Sequence, residues 1–326
     1  MTANDAIRSF WDWWATARTR VENAIEVERN FSEALVKEIS DHVDAIGDLD
    51  WELAPGRKAK HAFCMSPKGD PNMRLVSETW KHLGPGADET WEYFPSRQPQ
   101  EGTQLEIADV KLVRDDIWVA FEVDKSHERI HASYWHPSFA QLPEQVQLTA
   151  LFLLLDGALG EDGVERWLGR IELAPEKPDA AKPFADFMTA VGELSSTATG
   201  ESFAVMRGTT ADGQPIYVSC NQAIKRIDHV LDIMHIAISL DIVDLPTNED
   251  AKQLNELEDQ LSSQLGGRAI YFGRETIPGK RTIHFYAPED SGAASIIERW
   301  AKQHADRNPQ VEWIRDPTWE FVKRYV

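Results

Sequence analysis

Glu122 and His131 are the acid and the histidine that local strand pairing would bring closest in this chain. If residues 116–123 pair with 130–135 through the polar loop at 125–128, then Val123, Phe121 and Val119 face Ile130, Ala132 and Tyr134. The other face then holds Glu122 with His131 and Trp118 with Trp135. Asp124 and His136 flank the pair, so these four groups could hold a general base or one metal ion for a metal-assisted or acid-base hydrolase. Their spacing is that of no known metal motif, and neither metal nor cofactor is expected. Trp118 and Trp135 could wall a pocket, or simply form the edge of a sheet packed on a helix. Cys220 would need His229 or His235 beside it to act as a nucleophile; its alternative role is a small apolar filler. Gly160-Glu161-Asp162-Gly163 lacks the lysine of a phosphate loop, and its acids repel anions, so it reads as a helix-ending turn. Asp241, Asp244, Glu249 and Asp250 could attract a cation, but negative charge also suits a helix start.

The elements that would carry these groups alternate between helix and strand. Ile7, Phe10, Trp11, Trp14 and Val21 make one helical face, and Asn30 with Glu33 predicts the cap of a second helix carrying Leu35, Val36, Ile39, Val43 and Ile46. The two form an N-terminal helical hairpin. Short strands are expected at 51–53, 61–66 and 90–94, with a helix through Trp80 between the last two and a further strand at 108–113. Leu142-Pro143 opens a helix so apolar all round, from Val146 to Leu159, that it reads as central to its domain. Residues 64–95 and 285–316 share an order of strand, helix and strand, which suggests either an internal duplication or the ordinary likeness of amphipathic helices.

At 326 residues the chain exceeds what one core usually fills. The expected division is an N-terminal domain over 1–178, a linker with a short helix over 179–200, and a C-terminal domain over 201–326. A net charge of -20 argues against binding nucleic acid through phosphates and fits a soluble protein or one that meets a basic partner. The longest apolar run, 148–155, is too short to span a bilayer, so no membrane segment is expected. Cys64 and Cys220 lie far apart and outside any redox motif, which points to a reducing cytoplasm.

The C-terminal stretch has the clearest pattern. Thr247 and Asp250 approximate a capping box, and Ala251, Leu254, Leu257, Leu261 and Leu265 line a helix that Gly266-Gly267 ends. A hairpin around Pro278-Gly279 is expected to set Phe272 opposite Phe285 and Tyr271 opposite Tyr286, leaving Tyr271, Tyr286 and His284 as candidate binding residues. A second helix beginning at Ser291, a strand at 311–314 and a short helix capped by Asp316 follow.

At Leu245-Pro246, Leu257-Glu258-Asp259-Gln260-Leu261, Tyr271-Phe272-Gly273-Arg274, Gly279-Lys280-Arg281, Phe285-Tyr286 and Asp316-Pro317-Thr318-Trp319, the chain resembles a bacterial family of domains of unknown function, the one numbered six-nine-five. Where that family has glycine before Leu-Pro, Val243-Asp244 stands here. The family is in turn distantly similar to protein inhibitors of a bacterial ribonuclease, which implies a ferredoxin-like fold that acts by binding proteins. The reading is therefore an α+β protein of two domains, each a small, mostly antiparallel sheet with helices packed on it. Its expected role is a non-catalytic protein-binding or regulatory module in the cytoplasm, with a basic protein or a second copy of the chain as partner. A hydrolase using the Glu122/His131 region and a structural assembly subunit are the alternatives.

Overall fold

The computed structural model describes residues 2–100, 102 and 104–325. Two compact units emerge: Met1–Val123 with Ile130–Glu193, and Asp124–Arg129 with Leu194–Val326.

In unit 1, α1 (Ala3–Asn23) starts at a Thr2/Asp5 capping box and buries Ile7, Phe10, Trp11, Trp14 and Val21, the face that its 3.6-residue period marks out. A π-helical turn (Ala24–Glu28) and left-handed Arg29 redirect the chain, so Ser32, not Asn30, caps α2 (Glu33–Asp44), its hydroxyl accepting from Leu35 N at 3.2 Å. Strands β1 (Asp50–Pro55) and β2 (His61–Ser66) pair antiparallel. After α3 (Pro71–Leu83), β3 (Trp91–Phe94) joins β2 in parallel. Aromatic rings fill the space between sheet and helices. Trp11 stacks on Trp80 with centroids 4.7 Å apart, and the two indole N–H groups of Trp11 and Trp14 reach the Trp80 carbonyl and the Tyr93 hydroxyl.

Strands β4 (Gln104–Ile107) and β5 (Val110–Val113) form a separate hairpin. Ala108 and Asp109, expected within a strand, both have positive φ and make its two-residue turn. A second, four-stranded sheet has the order β8-β7-β6-β9, from β6 (Trp118–Asp124), β7 (Arg129–Trp135), β8 (Leu168–Leu173) and β9 (Lys182–Pro183). Ile130, Ala132 and Tyr134 alternate as buried residues along β7, as their period of two requires. Between β7 and β8 runs α4 (Glu144–Trp167). Leu148 and Phe152 remain exposed on it, so the helix is not enclosed all round as its composition suggests. The helix breaks at Gly160, where the helix-ending turn is expected, and resumes beyond it: φ is +71° and ψ 162° there, and a Cβ would stand 2.8 Å from Pro99 Cδ and 2.9 Å from the Arg97 carbonyl oxygen.

Much of the expected linker is regular structure. Lys182-Pro183 pairs with Trp118-Val119, and in α5 (Phe184–Thr197) the Phe187 ring packs edge-on against Tyr134 and Phe121. Further on, the backbone N–H groups of Thr199 and Gly200 donate to the buried carboxylate of Glu128, 2.8 and 3.1 Å away, within unit 2.

Unit 2 is built on β10 (Phe203–Thr209), β11 (Pro215–Asn221), β12 (Met234–Asp241), α6 (Asn248–Leu265), β13 (Ile270–Ile277), β14 (Lys280–Ala287), α7 (Ala293–Gln303) and β15 (Gln310–Arg315). Its sheet has the order β10-β11-β13-β14-β12-β15. From β12 onward the chain runs βαββαβ with all four strands antiparallel to their neighbours, the ferredoxin-like arrangement. The Thr247/Asp250 capping box is present, and Leu254, Leu261 and Leu265 of α6 pack with Ile297 and Trp300 of α7 onto Ile236, Ile238, Ile283 and Phe285. Full burial of a leucine or isoleucine side chain contributes roughly 1.5–3 kcal/mol.

Two expectations about strands need correction. Tyr271 lies opposite Phe285 and Ile270 opposite Tyr286, one residue off the expected register, because a bulge between Tyr271 and Gly273 makes Phe272 an extra residue. Gly273 permits this: a Cβ there would meet the Ser219 carbonyl oxygen at 2.3 Å. The repeat suggested for 64–95 and 285–316 extends to element order but not to pairing, since β3 lies beside β2 whereas β12 separates β15 from β14. Finally, Asp316 caps a turn, accepting from Glu320 N and Phe321 N, and among the described residues only a 3-10 turn (Val322–Arg324) follows it.

Candidate functional site

Six strands in unit 2 share two long helices. Those helices pack on Ile236, Ile238, Leu240, Ile283 and Phe285, which belong to β12 and β14, and the sheet outruns them at β10 and β11. There Phe203 and Val205 are 52% and 75% exposed. A cleft of about 360 Å³ opens beside them, lined by Val205, Tyr217, Ser219, Leu245, Pro246, Thr276, Arg274 and Arg281 among others. Register explains this grouping, for Val205, Ser219 and Arg274 lie on one cross-strand row and Tyr217, Thr276 and Arg281 on the next.

Both arginines are held from behind by Glu258, which is 3% exposed on α6. Its Oε2 accepts from Arg274 Nη1 at 2.8 Å and from the Tyr271 hydroxyl at 3.3 Å, while Oε1 accepts from Arg281 Nη1 at 3.0 Å. The same Arg281 Nη1 donates to Asn255 Oδ1 at 3.1 Å. Arg281 Nε is buried and has no partner among the described residues. Burial pushes Arg281 below the usual arginine range against the pull of Glu258, and the like charge of Arg274 adds to that push. Burial also opposes the charge on Arg274, but Glu258 outweighs it and raises that group. Arginine starts so high that both stay cationic at neutral pH, and two guanidinium groups against one carboxylate leave one positive charge, to which Arg207 adds another over the Tyr217 ring, 5.7 Å from its centroid. Tyr271 is raised by burial and by the Glu258 charge, so it remains a neutral donor.

The opposite face of this sheet holds Tyr286 and His284. Tyr286 donates to Asp316 Oδ2 at 2.7 Å and stacks on Trp319. His284 Nδ1 lies 3.1 Å from His235 Nε2, and Glu275 stands 3.8 Å from its Nε2. Burial, with the neighbouring His284, pulls His235 down to about 4. Phe321 covers both imidazoles, with centroids 4.2 and 4.3 Å away. These two candidates are thus packed beneath the C-terminal turn, whereas Tyr271 supports the cleft. Cys220 is fully buried and pushed up to about 11 by desolvation, which disfavours the thiolate. Neither histidine serves it: His229 pairs with Asp232 at 3.3 Å, and His235 with His284.

In unit 1, Arg170 links Glu122 and His131. Its guanidinium reaches the exposed Glu122 at 3.4 Å and its backbone N–H donates to His131 Nδ1 at 2.8 Å, with the imidazole packed against Gly169. His136 is turned elsewhere: Nε2 donates to the Val113 carbonyl and Nδ1 accepts from Ser138 N, and burial lowers its pKa. Asp124, in unit 2, bonds His127 Nδ1 at 2.7 Å. Burial works against its charge, but hydrogen bonds from Ser126 and His127 hold it below the usual carboxylate range. Trp118 lies under the Lys177 ammonium, 2.9 Å from its centroid, and Trp135 is half-buried on β7. The acids at the α6 entry serve the backbone: Asp250 closes the capping box, Asp244 accepts from Leu245 N, and Asp241 accepts from Asn308. Among the described residues no group of three or more His, Cys, Asp or Glu side chains is placed to hold a metal ion.

Unit 1 also contains a carboxylate cluster that no local spacing announces. Arg97 ties Glu52 at 3.4 Å through its side chain and Glu161 at 2.7 Å through its backbone N–H, and Ser66 donates to the other Glu161 oxygen. Burial and the Glu161 charge push nearby Asp156 up to about 7. Burial, then Glu52 and Glu161, push Cys64 up to about 12.

Residues 206–325 match the model of a family of unknown function, DUF695. The DUF695 segment takes in Glu258, Tyr271, Arg274 and Arg281, and with them every cleft residue named above except Val205, which immediately precedes it. Leu245-Pro246, Glu258, Tyr271, Arg274 and Arg281, which carried the resemblance in the sequence, therefore converge on one place. No curated protein matches the chain.

Proposed function

We propose that the protein is a non-catalytic binding or regulatory module that receives its partner on the uncovered β10/β11 face of unit 2. The observation that carries this reading is a sheet that outruns its helical layer, leaving Phe203 and Val205 open beside a cleft backed by an arginine pair. Small apolar patches of this kind, next to a few fixed polar groups, are what docking surfaces use. The Glu122/His131 region supports catalysis less well, because Arg170 already engages both groups. A net charge of -20 draws basic partners at long range, while the cleft itself is cationic. The partner that suits both is basic overall and offers one acidic group to the cleft. Two unpaired, buried cysteines fit a reducing cytoplasm as the place where this happens. No helix among the described residues is long and apolar enough to cross a membrane.

The test compares wild-type protein with Phe203→Lys/Val205→Lys as bait in cell lysate, at low and moderate salt. Lysines on an exposed edge strand block docking; because Phe203 stacks on Tyr271 with ring centroids 6.0 Å apart, Val205→Lys alone serves as a further bait that leaves this contact intact. A protein retained by the wild type, weakened by salt and lost from the variants supports the reading. Equal capture by all baits, or by none, removes it.

A further inference from the structure

We infer that the cleft of unit 2 is a binding site for a single carboxylate carried on an apolar group. The inference rests on the reading of this cleft as the ligand-receiving face. Arg281 spends only Nη1 on its protein partners, Glu258 and Asn255. Its Nε is buried with no partner, and Nη2 makes no hydrogen bond among the described residues. Nη2, on a side chain that lines the cleft, is therefore the guanidinium N–H group left to receive a carboxylate oxygen in a charge-assisted bond. A guanidinium N–H group without a protein partner is satisfied by an oxyanion that arrives from the cleft.

Charge selects an anion: Arg274 and Arg281 against Glu258 leave one positive charge, and Arg207 adds another over the Tyr217 ring, 5.7 Å from its centroid. The walls select the rest of the ligand: Val205, Leu245, Pro246 and the Tyr217 ring offer apolar surface, while Ser219 and Thr276 supply hydroxyls. Glu258 acts as the positioning residue, since its bonds hold both guanidinium groups in place from the far side.

The source of the carboxylate can be a free organic acid or the C-terminus of a protein. Both are tested by ligand-observed NMR and calorimetry on the full chain, using hexanoate, hexanol, inorganic phosphate, and a short apolar peptide with a free or an amidated C-terminus. Hexanoate and the free-carboxyl peptide are expected to bind, with hexanol, the amidated peptide and phosphate at least about tenfold weaker. Binding of hexanoate without the peptide assigns a small acid; a peptide that binds at least about tenfold tighter than hexanoate assigns a protein terminus. Arg281→Lys removes Nη2 and should weaken binding about tenfold, but it touches a buried ion pair. Val205→Glu and Val205→Gln avoid that pair: the charged variant should lose about tenfold in affinity and the neutral one less than about twofold. Hexanol binding as well as hexanoate, equal behaviour of the two Val205 variants, or no binding of any acid overturns the assignment. Should lysate capture still depend on Phe203 and Val205 in that case, only the carboxylate assignment falls and the docking face stands.

Discussion

Replacing Glu258 by alanine tests the assembly that holds the cleft. The carboxylate is 3% exposed and accepts from Arg274, Arg281 and Tyr271. Its loss would leave two guanidinium groups facing each other in a place where Arg281 is only 4% exposed. Removing one partner of a buried ion pair costs about 3–5 kcal/mol, because the remaining charge has been taken out of water without compensation. Burying the carboxylate itself was costly, so the sum of the lost bonds overstates the effect and about 4 kcal/mol is the figure to test. With a urea dependence of about 2 kcal/mol per molar, the midpoint should fall by roughly 2 M. Hydrogen exchange of peptides from β13 and β14 along a urea series reports unit 2 without interference from unit 1. Adding Arg281→Met to Glu258→Ala should restore part of the loss, since the apolar side chain needs no counter-charge. A midpoint shift below about 0.5 M, or no recovery in the double variant, would show that the arginines are solvated and that Glu258 does not hold them.

Two further outcomes follow from unit 1 and the bulge. Asp156 is pushed up to about 7, so its folded pKa lies above the unfolded value; the associated stability is present at low pH and lost as pH rises through about 7. Asp156→Asn should therefore melt like the wild type near pH 4 and be more stable at pH 8, by about 3–4 kcal/mol at most, in calorimetric scans; an equal difference at both pH values would contradict the burial argument. Gly273→Ala would force a Cβ to within 2.3 Å of the Ser219 carbonyl oxygen and push β11 from β13. A loss of about 3 kcal/mol is expected, with faster hydrogen exchange in both strands; a neutral substitution would mean that the two strands do not approach so closely.

The sequence by itself determined what is local. Periodicity marked the buried faces of α1 and α6, Thr247 and Asp250 the start of α6, and Pro278-Gly279 the β13–β14 turn, because each depends on residues within a few positions of one another. The strand order of unit 2 was legible only through the family resemblance. Tyr271 stood out among the site residues as an aromatic on a hairpin, and Glu258 left a readable signal: a charged residue on the apolar stripe of Leu254, Leu261 and Leu265. Such a residue buries its charge only where cations meet it.

Tertiary structure decided everything that depends on pairing across distance. One extra residue, Phe272, shifted the register of β13, since a strand's side-chain period of two turns a single insertion into a change of partner. Glu128 fixed the backbone at Thr199 and Gly200, residues that composition alone assigns to a linker. Above all, Glu258, Arg274 and Arg281 meet although they lie on a helix and two different strands. Their convergence follows from where α6 crosses the sheet and where the sheet outruns it, and side-chain packing sets that crossing rather than any spacing along the chain.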